Sequence, residues 1–97
     1  MIFSYGNKLA RDLAEDQRSK EVRSFPAELI KICRRKLNML HAAKSLEDLK
    51  VTPGNRLEAL KGDRKGRLSI RVNDQWRITF KFVDGNTPEV KVEDYHK

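Results

Sequence analysis

The sequence ends in three neighbouring side chains that can all transfer protons: Asp94, Tyr95 and His96. A carboxylate, a phenol and an imidazole are groups that enzymes use for general acid–base catalysis. Val90 and Val92 precede them with the alternation of a strand. Because unpaired burial of charge is costly, we expect either that the strand leaves the core by Asp94 or that the chain twists there, and in both cases these groups lie at a sheet edge. An ordinary frayed terminus is the alternative interpretation.

A second set of candidate residues is cationic and lies on one predicted hairpin. A three-residue loop, Asn-Asp-Gln, aligns the apolar faces of its two strands, whereas a two-residue loop would scramble them. In this register Arg71 faces Arg77, and Lys81 lies further along the same face. Like charges opposite one another destabilise a strand pair, so phosphate is the expected counter-charge. A solvated outer face is the alternative.

The loop before this hairpin, LKGDRKGR, contributes four more cations. Its spacing fits neither a Walker A loop nor a dinucleotide fingerprint, and an ordinary exposed loop is the alternative to a phosphate site. The four cations are Lys61, Arg64, Lys65 and Arg67.

Composition restricts the classes of function. Twenty-one Lys and Arg against fourteen Asp and Glu give a net charge of +7 in 97 residues, which favours a polyanionic partner such as nucleic acid or the ribosome. The length predicts one domain, residues 1–97. The sequence contains neither an apolar run of membrane-spanning length nor a signal-peptide pattern, so we expect a cytoplasmic protein that does not bind a membrane.

The residues that bind metals are scarce. One cysteine, Cys33, and two histidines, His41 and His96, exclude a disulfide framework and Cys- or His-rich metal clusters. We therefore expect no metal and no cofactor. Cys33 is expected in the core, His41 on the surface, and Trp76 in the core rather than stacked on a base, because it alternates with other apolar residues.

The elements that position these residues change character along the chain. Residues 2–5 weakly indicate a strand, and Asn7 is expected to cap a short helix that ends in a loop over 15–24. A helix of about five turns begins after Ser24, with Pro26 in its first turn, and residues 45–51 add a helical turn. Period-two strands follow over 67–72, 76–82 and 89–96. The order predicts an α+β fold: two N-terminal helices packed on an antiparallel sheet of three to five strands.

The stretch NRLEALKGDRKGRLSIRVNDQWRITFKF, followed by a terminal VEDYH, resembles the HigB-type toxins (plasmid maintenance killer proteins) of the RelE/ParE toxin superfamily. The resemblance implies a RelE-like fold and a ribosome-dependent mRNA endonuclease. Such an enzyme cleaves translated mRNA in the A site without a metal, by attack of the RNA 2′-hydroxyl, and arrests growth. The implied partners are the ribosome and mRNA, a HigA-like helix-turn-helix antitoxin, and operator DNA through that antitoxin only.

The resemblance also implies roles for individual residues. Lys61 and Arg77 would stabilise phosphate charge, Asp94 and His96 would share proton transfer in an unassigned order, and Tyr95 would orient the phosphate or stack a base. The surrounding residues would contact RNA: Arg64, Lys65, Arg67, Arg71, Gln75 and Lys81.

Two positions depart from the family pattern. Glu58 stands where some relatives have histidine, which leaves the details of proton transfer open. Gln75 stands where some have asparagine, which bears on codon recognition. A ParE-like gyrase inhibitor without catalysis, or an RNA-binding module, is the alternative function.

Overall fold

The computed structural model describes residues 1–95. Within them, four helices precede an antiparallel sheet of four strands in the order β1-β2-β3-β4, which confirms the predicted α+β class. The helices are α1 (Lys8–Ala14), α2 (Lys20–Arg23), α3 (Ala27–Ala42) and α4 (Leu46–Lys50). The strands are β1 (Glu58–Ala59), β2 (Leu68–Arg71), β3 (Trp76–Phe80) and β4 (Lys91–Asp94).

Helix boundaries follow the capping residues. Asn7 caps α1 as predicted, accepting a hydrogen bond from the Ala10 N–H at 3.0 Å, and α3 begins directly after Pro26. The prediction of a loop throughout 15–24 was wrong, because α2 forms a single turn that the Ser19 side chain caps. None of the helices within residues 1–95 is long and apolar enough to cross a membrane.

Two short β elements also differ from the prediction. Residues 2–5 form no strand but only two isolated parallel bridges, Ile2 to Thr87 and Tyr5 to Val90. The two-residue strand β1 was not predicted, since both of its residues are exposed and neither is β-branched or aromatic.

The register of the central hairpin is the predicted one. Leu68 pairs with Phe80, and Arg71 pairs with Arg77. Asn73 supports the turn, because its side-chain oxygen accepts hydrogen bonds from the N–H groups of Gln75 and Trp76 at 3.0 and 2.7 Å. Strand β4 adds to the far side of β3.

The core lies between the helices and one face of the sheet. Alternate residues of β2, β3 and β4 contribute Ile70, Ile78 and Val92, each at most 2% exposed. Trp76 packs edge-on against Phe25 with ring centroids 4.8 Å apart, which agrees with its predicted packing role. The opposite face of the sheet is left to polar and charged side chains.

The long helix α3 buries one charged residue that its pattern did not indicate. Lys36 is 7% exposed, and its ammonium donates hydrogen bonds to the Asn55 side-chain oxygen at 2.9 Å and the Arg71 carbonyl at 2.7 Å. Burial lowers the pKa of this lysine. Asn55 is itself fully buried and accepts the Arg71 N–H at its backbone oxygen at 2.6 Å. The pair therefore fixes the end of β2 to the helical layer.

Candidate active site

A cleft of about 370 Å³ opens where the end of β4 meets the loop that precedes β2. It is lined by Leu60, Lys61, Arg64, Asp94 and Tyr95. Four of these five residues were singled out from the sequence for catalysis or RNA contact. Although up to 34 positions separate them along the chain, the fold brings them to one surface depression.

The cationic wall of the cleft is built by a compact loop. Leu60 is buried and donates its N–H to the Arg67 carbonyl at 2.9 Å, which closes the loop. A turn of 3₁₀ helix, Gly62–Arg64, lies inside it and begins at a glycine with a φ of 66°, a conformation that other residues adopt at a cost. The Lys61 ammonium makes no hydrogen bond or ion pair with another residue in the part of the chain that the structure describes, and it stays available to an anion.

The acidic wall is fixed by the turn between β2 and β3. Asp94 is the register partner of Trp76 at the end of β4, and its Oδ2 accepts a hydrogen bond from Gln75 Nε2 at 3.0 Å. The Tyr95 N–H donates to the Gln75 carbonyl at 2.6 Å. Gln75, predicted to contact RNA, therefore also holds both Asp94 and Tyr95 in place.

Arg77 lies on the outer face beside the same wall. Its Cζ is 5.0 Å from the centroid of the Tyr95 ring, a cation–π contact. One Nη donates to the carbonyl of Asn73 and, at 3.3 Å, to that of Trp76. Because neutral carbonyls hold it, the guanidinium keeps its charge uncompensated by these contacts.

Carboxylates of the protein itself offset the expected repulsion between Arg71 and Arg77. Arg71 donates to Asp74 at 2.5 Å, and that hydrogen bond holds the pKa of the Asp74 carboxyl below its ordinary value. Arg77 has Glu93 as its register partner on the other side. Phosphate is therefore not required as a counter-charge for this hairpin to form.

A chain of hydrogen bonds runs over the outer face of the sheet behind the cleft. Arg67 donates to the Thr79 hydroxyl at 3.0 Å, the Thr79 hydroxyl donates to Glu93, and the same Glu93 oxygen accepts from Arg64. Burial disfavours the charged carboxylate, but the hydrogen bonds from Thr79 and Arg64 outweigh it, and the pKa of Glu93 lies below its ordinary value.

The remaining predicted RNA contacts are not brought into the cleft. Arg67 is only 8% exposed, because its guanidinium bonds Thr79 and the Glu89 carbonyl at 2.7 Å, so its contacts are structural. Lys81 is paired with the Glu89 carboxylate at 3.1 Å. Lys65 is exposed but does not line the cleft.

Two further positions bear on the predicted proton transfer. Glu58 lies exposed in β1, opposite Ser69 of β2, and is not among the residues that line the cleft. His96 lies outside the described residues, so its position relative to Lys61 and Arg77 stays a prediction.

Sequence reasoning missed the residues that support the cleft. Glu93 and Thr79 occupy the outward positions of their strands, and their alternation with Val92 and Ile78 indicates that face. The pattern does not show that Glu93 meets Arg64 across the sheet, because that contact depends on how the loop before β2 folds back.

Within residues 1–95, no three His, Cys, Asp or Glu side chains lie together in a group that could hold a metal ion.

The comparison with protein families gives a match along nearly the whole chain. A family model described as the RelE-like toxin of type II toxin-antitoxin system HigB matches residues 3–96. Toxin HigB-1 of Vibrio cholerae serotype O1 is 41% identical over 85 residues, which cover 88% of this chain and 87% of that protein.

Two further proteins resemble this chain in part or in fold alone. The endoribonuclease HigB of Proteus vulgaris is 51% identical over 41 residues, which cover 42% of this chain and 45% of that protein. The crystal structure of a mutant of YafQ from E. coli superposes with a TM-score of 0.61 at 16% identity, covering 98% of this chain and 92% of that one. At that identity the likeness shows the fold.

The family match spans residues 3–96, which include the loop and strands that build the cleft, and the Vibrio relative covers 88% of this chain. This protein belongs to the family of RelE-like HigB toxins of type II toxin–antitoxin systems.

Proposed function

We propose that this toxin is an endoribonuclease that cleaves translated mRNA on the ribosome, without a metal ion. The observation that carries the proposal is the cleft in which Lys61 and Arg64 face Asp94 and Tyr95. Cations for a phosphate and a group for proton transfer stand together there. A relative that is 51% identical over 41 residues is named as an endoribonuclease, which supports endoribonuclease activity at partial coverage.

In the proposed reaction the RNA supplies its own nucleophile. The 2′-hydroxyl oxygen attacks the adjacent phosphorus and the bond from phosphorus to the 5′-oxygen breaks. One proton leaves the 2′-hydroxyl, and one is delivered to the departing 5′-oxygen. The products are a 2′,3′-cyclic phosphate and a 5′-hydroxyl. Asp94 and His96 divide the two proton transfers, each typically worth 10²–10⁴-fold in rate.

The cations act on the negative charge that accumulates at phosphorus. The Lys61 ammonium has no described partner to displace, and Arg77 is oriented by backbone carbonyls and the Tyr95 ring. Because Arg77 is oriented in advance, its charge needs no reorganisation when the transition state forms. Tyr95 then orients the phosphate or stacks a base while it stays fixed on Arg77.

As a type II toxin the chain has an antitoxin partner. We propose a HigA-like helix-turn-helix antitoxin, with operator DNA bound only through it, and the ribosome as the platform that presents mRNA. Gln75 would contact the codon in addition to holding Asp94.

Growth and RNA mapping test the proposal together. Induced expression of the wild type should arrest growth and produce new 5′ ends in translated mRNA. His96→Ala and Lys61→Ala should relieve the arrest while the protein still folds and binds its antitoxin. Growth arrest without new 5′ ends would contradict the nuclease activity.

A further inference from the structure

The Glu93 carboxylate forms an ion pair with the Arg64 side chain. Arg64 lines the cleft and donates one Nη to Glu93, which itself is not among the lining residues. The two side chains are 35% and 23% exposed. Arg64 therefore has one end anchored to β4 and the other face turned to the depression that Lys61 and Asp94 share.

Glu93 is in turn held by a hydrogen bond from Thr79 of β3. Thr79 is fully buried in β3, and its hydroxyl accepts from Arg67 and donates to Glu93. Arg67 is fixed in turn by the Glu89 carbonyl at 2.7 Å. The hydroxyl can serve both neighbours because it has one donor and two acceptor positions. The hydrogen bonds therefore run from Arg67 through Thr79 and Glu93 to Arg64, which lines the cleft.

We infer that Glu93 is a positioning residue for the proposed cleavage, holding the Arg64 guanidinium so that its remaining N–H donors bind the reacting phosphodiester. The inference rests on the proposed function. A guanidinium carries five donors in a fixed planar fork that matches phosphate oxygens. The Glu93 carboxylate accepts a hydrogen bond from one Nη of Arg64 and so sets the direction of the remaining N–H donors.

This arrangement predicts a specific division between binding and turnover. Replacing Glu93 by glutamine raises the net charge by one, which attracts RNA at long range and does not weaken binding. It also loosens the guanidinium, which then has to be ordered as the transition state forms. The turnover number should therefore fall while the Michaelis constant stays level or decreases.

Asp16 provides a matched control. It is an exposed carboxylate after the end of α1 that pairs with Arg34 of α3 at 3.5 Å. Neither residue lines the cleft or bonds a member of the chain from Arg67 to Arg64. Asp16→Asn changes the net charge equally and leaves that chain intact.

The test measures cleavage of a translated mRNA by each variant in a purified translation system. We expect Glu93→Gln to lower kcat about tenfold with KM unchanged or lower, and Asp16→Asn to stay within about twofold of the wild type in kcat. Thr79→Val, which removes the hydroxyl, should lower kcat about threefold, and Thr79→Ser should restore it. Thermal unfolding of each variant corrects the rates for the folded fraction.

A second readout observes Arg64 directly. The Nη of Arg64 donates to Glu93, so in the wild type the ¹⁵N-detected Nη–H signal of Arg64 should be resolved and slow to exchange. In Glu93→Gln it should broaden, while in Asp16→Asn it should stay as in the wild type. This signal does not depend on cleavage, so it remains decisive if a variant is inactive for another reason.

The outcomes separate this inference from the proposed function. Cleavage by the wild type, with Glu93→Gln equal to it in kcat or with an unchanged Arg64 signal, overturns the positioning role alone. If the activity of Glu93→Gln falls only through a higher KM, with kcat unchanged, the positioning role is overturned as well. Absence of cleavage by the wild type overturns the proposed function, and with it any role of Glu93 in turnover.

Discussion

At the scale of single residues, the two cations that line the cleft, Lys61 and Arg64, and Arg77 beside it differ in what holds them. Lys61 has no ionic partner within residues 1–95, Arg77 is held by neutral carbonyls and a ring, and Arg64 is held by a carboxylate. A free ammonium can follow a phosphate through the reaction, whereas the two guanidinium groups are fixed in advance. The division suits a reaction in which charge grows at one phosphorus atom.

The Lys61 ammonium has no partner within residues 1–95 that would compete with a phosphate for its charge. We expect Lys61→Ala to reduce kcat/KM for mRNA cleavage by about 10²–10³-fold, the usual effect of removing one group that stabilises transition-state charge. Lys50→Ala is the matched control, since this exposed lysine at the end of α4 lies outside the cleft. Single-turnover rates would measure the difference. Equal losses in both variants would indicate a general charge effect instead.

Cys33 gives a residue-scale prediction about stability. Burial raises the pKa of its thiol from 9.0 to about 12, so the thiol stays protonated in the folded protein when the unfolded chain would ionise. The stabilisation is fully present below pH 9 and is lost as the pH rises towards 12. Urea unfolding between pH 8 and 10.5 should show the wild type losing up to about 1.4 kcal/mol per pH unit relative to Cys33→Ala. Parallel curves would contradict the buried thiol.

At the scale of elements, the sequence predicts those parts whose pattern is set by burial. The three-four spacing of Cys33, Leu37 and Leu40 predicts α3, and the apolar alternation around the Asn73 turn predicts the hairpin register, because a one-residue slip would expose every core side chain. The sequence alone therefore predicts that Arg71 pairs with Arg77, as the structure confirms.

Other elements depend on contacts that no local pattern contains. Strand β1 and helix α2 are short and expose most of their residues, so neither has an apolar periodicity that would predict it. The Lys36 ammonium is buried because Asn55 and the Arg71 carbonyl accept its protons, and α3 alone gives no indication of that. Similarly, the cleft residues were predictable by type, but the pairing of Arg64 with Glu93 was not.

Asn55 offers a test of how the elements are joined. Its side chain accepts from Lys36 and donates to the Leu49 carbonyl at 3.1 Å. Asn55→Leu leaves a buried ammonium and a buried carbonyl without these partners, so we expect it to lower the free energy of unfolding by about 2–4 kcal/mol. Asn38→Leu, at an exposed position of α3, should change it by less than about 0.5 kcal/mol. Chemical denaturation of both variants checks the prediction, and equal values would contradict it.

At the scale of the whole molecule, the sheet separates packing from chemistry. Helices cover one face, and the cleft with its ion pairs lies at the other, where the loop before β2 folds over the strands. Several of the cations on this side are paired with Glu89, Glu93 or Asp74. Fewer cations are free for RNA than the composition suggests.

Salt dependence measures how many cations act. If Lys61, Arg64 and Arg77 contact phosphates, affinity for a short single-stranded RNA with 2′-deoxy residues should fall about 15-fold between 50 and 200 mM salt, a logarithmic slope of about −2. Lys61→Ala should reduce the slope by about 0.7. Fluorescence anisotropy gives both values. A slope near −5 would mean that the paired arginines and lysines of the outer face bind RNA as well.

The most direct test of the central claim concerns the nucleophile that the cleft is proposed to activate. A ribosome-bound mRNA is prepared with one 2′-deoxy nucleotide at the cleavage site, beside an identical mRNA with the ribonucleotide. We expect cleavage of the mRNA with the ribonucleotide only. Its upstream fragment should carry a cyclic or 3′-phosphate, and its downstream fragment a 5′-hydroxyl. Cleavage of both at equal rates, or a 5′-phosphate on the downstream fragment, would contradict it.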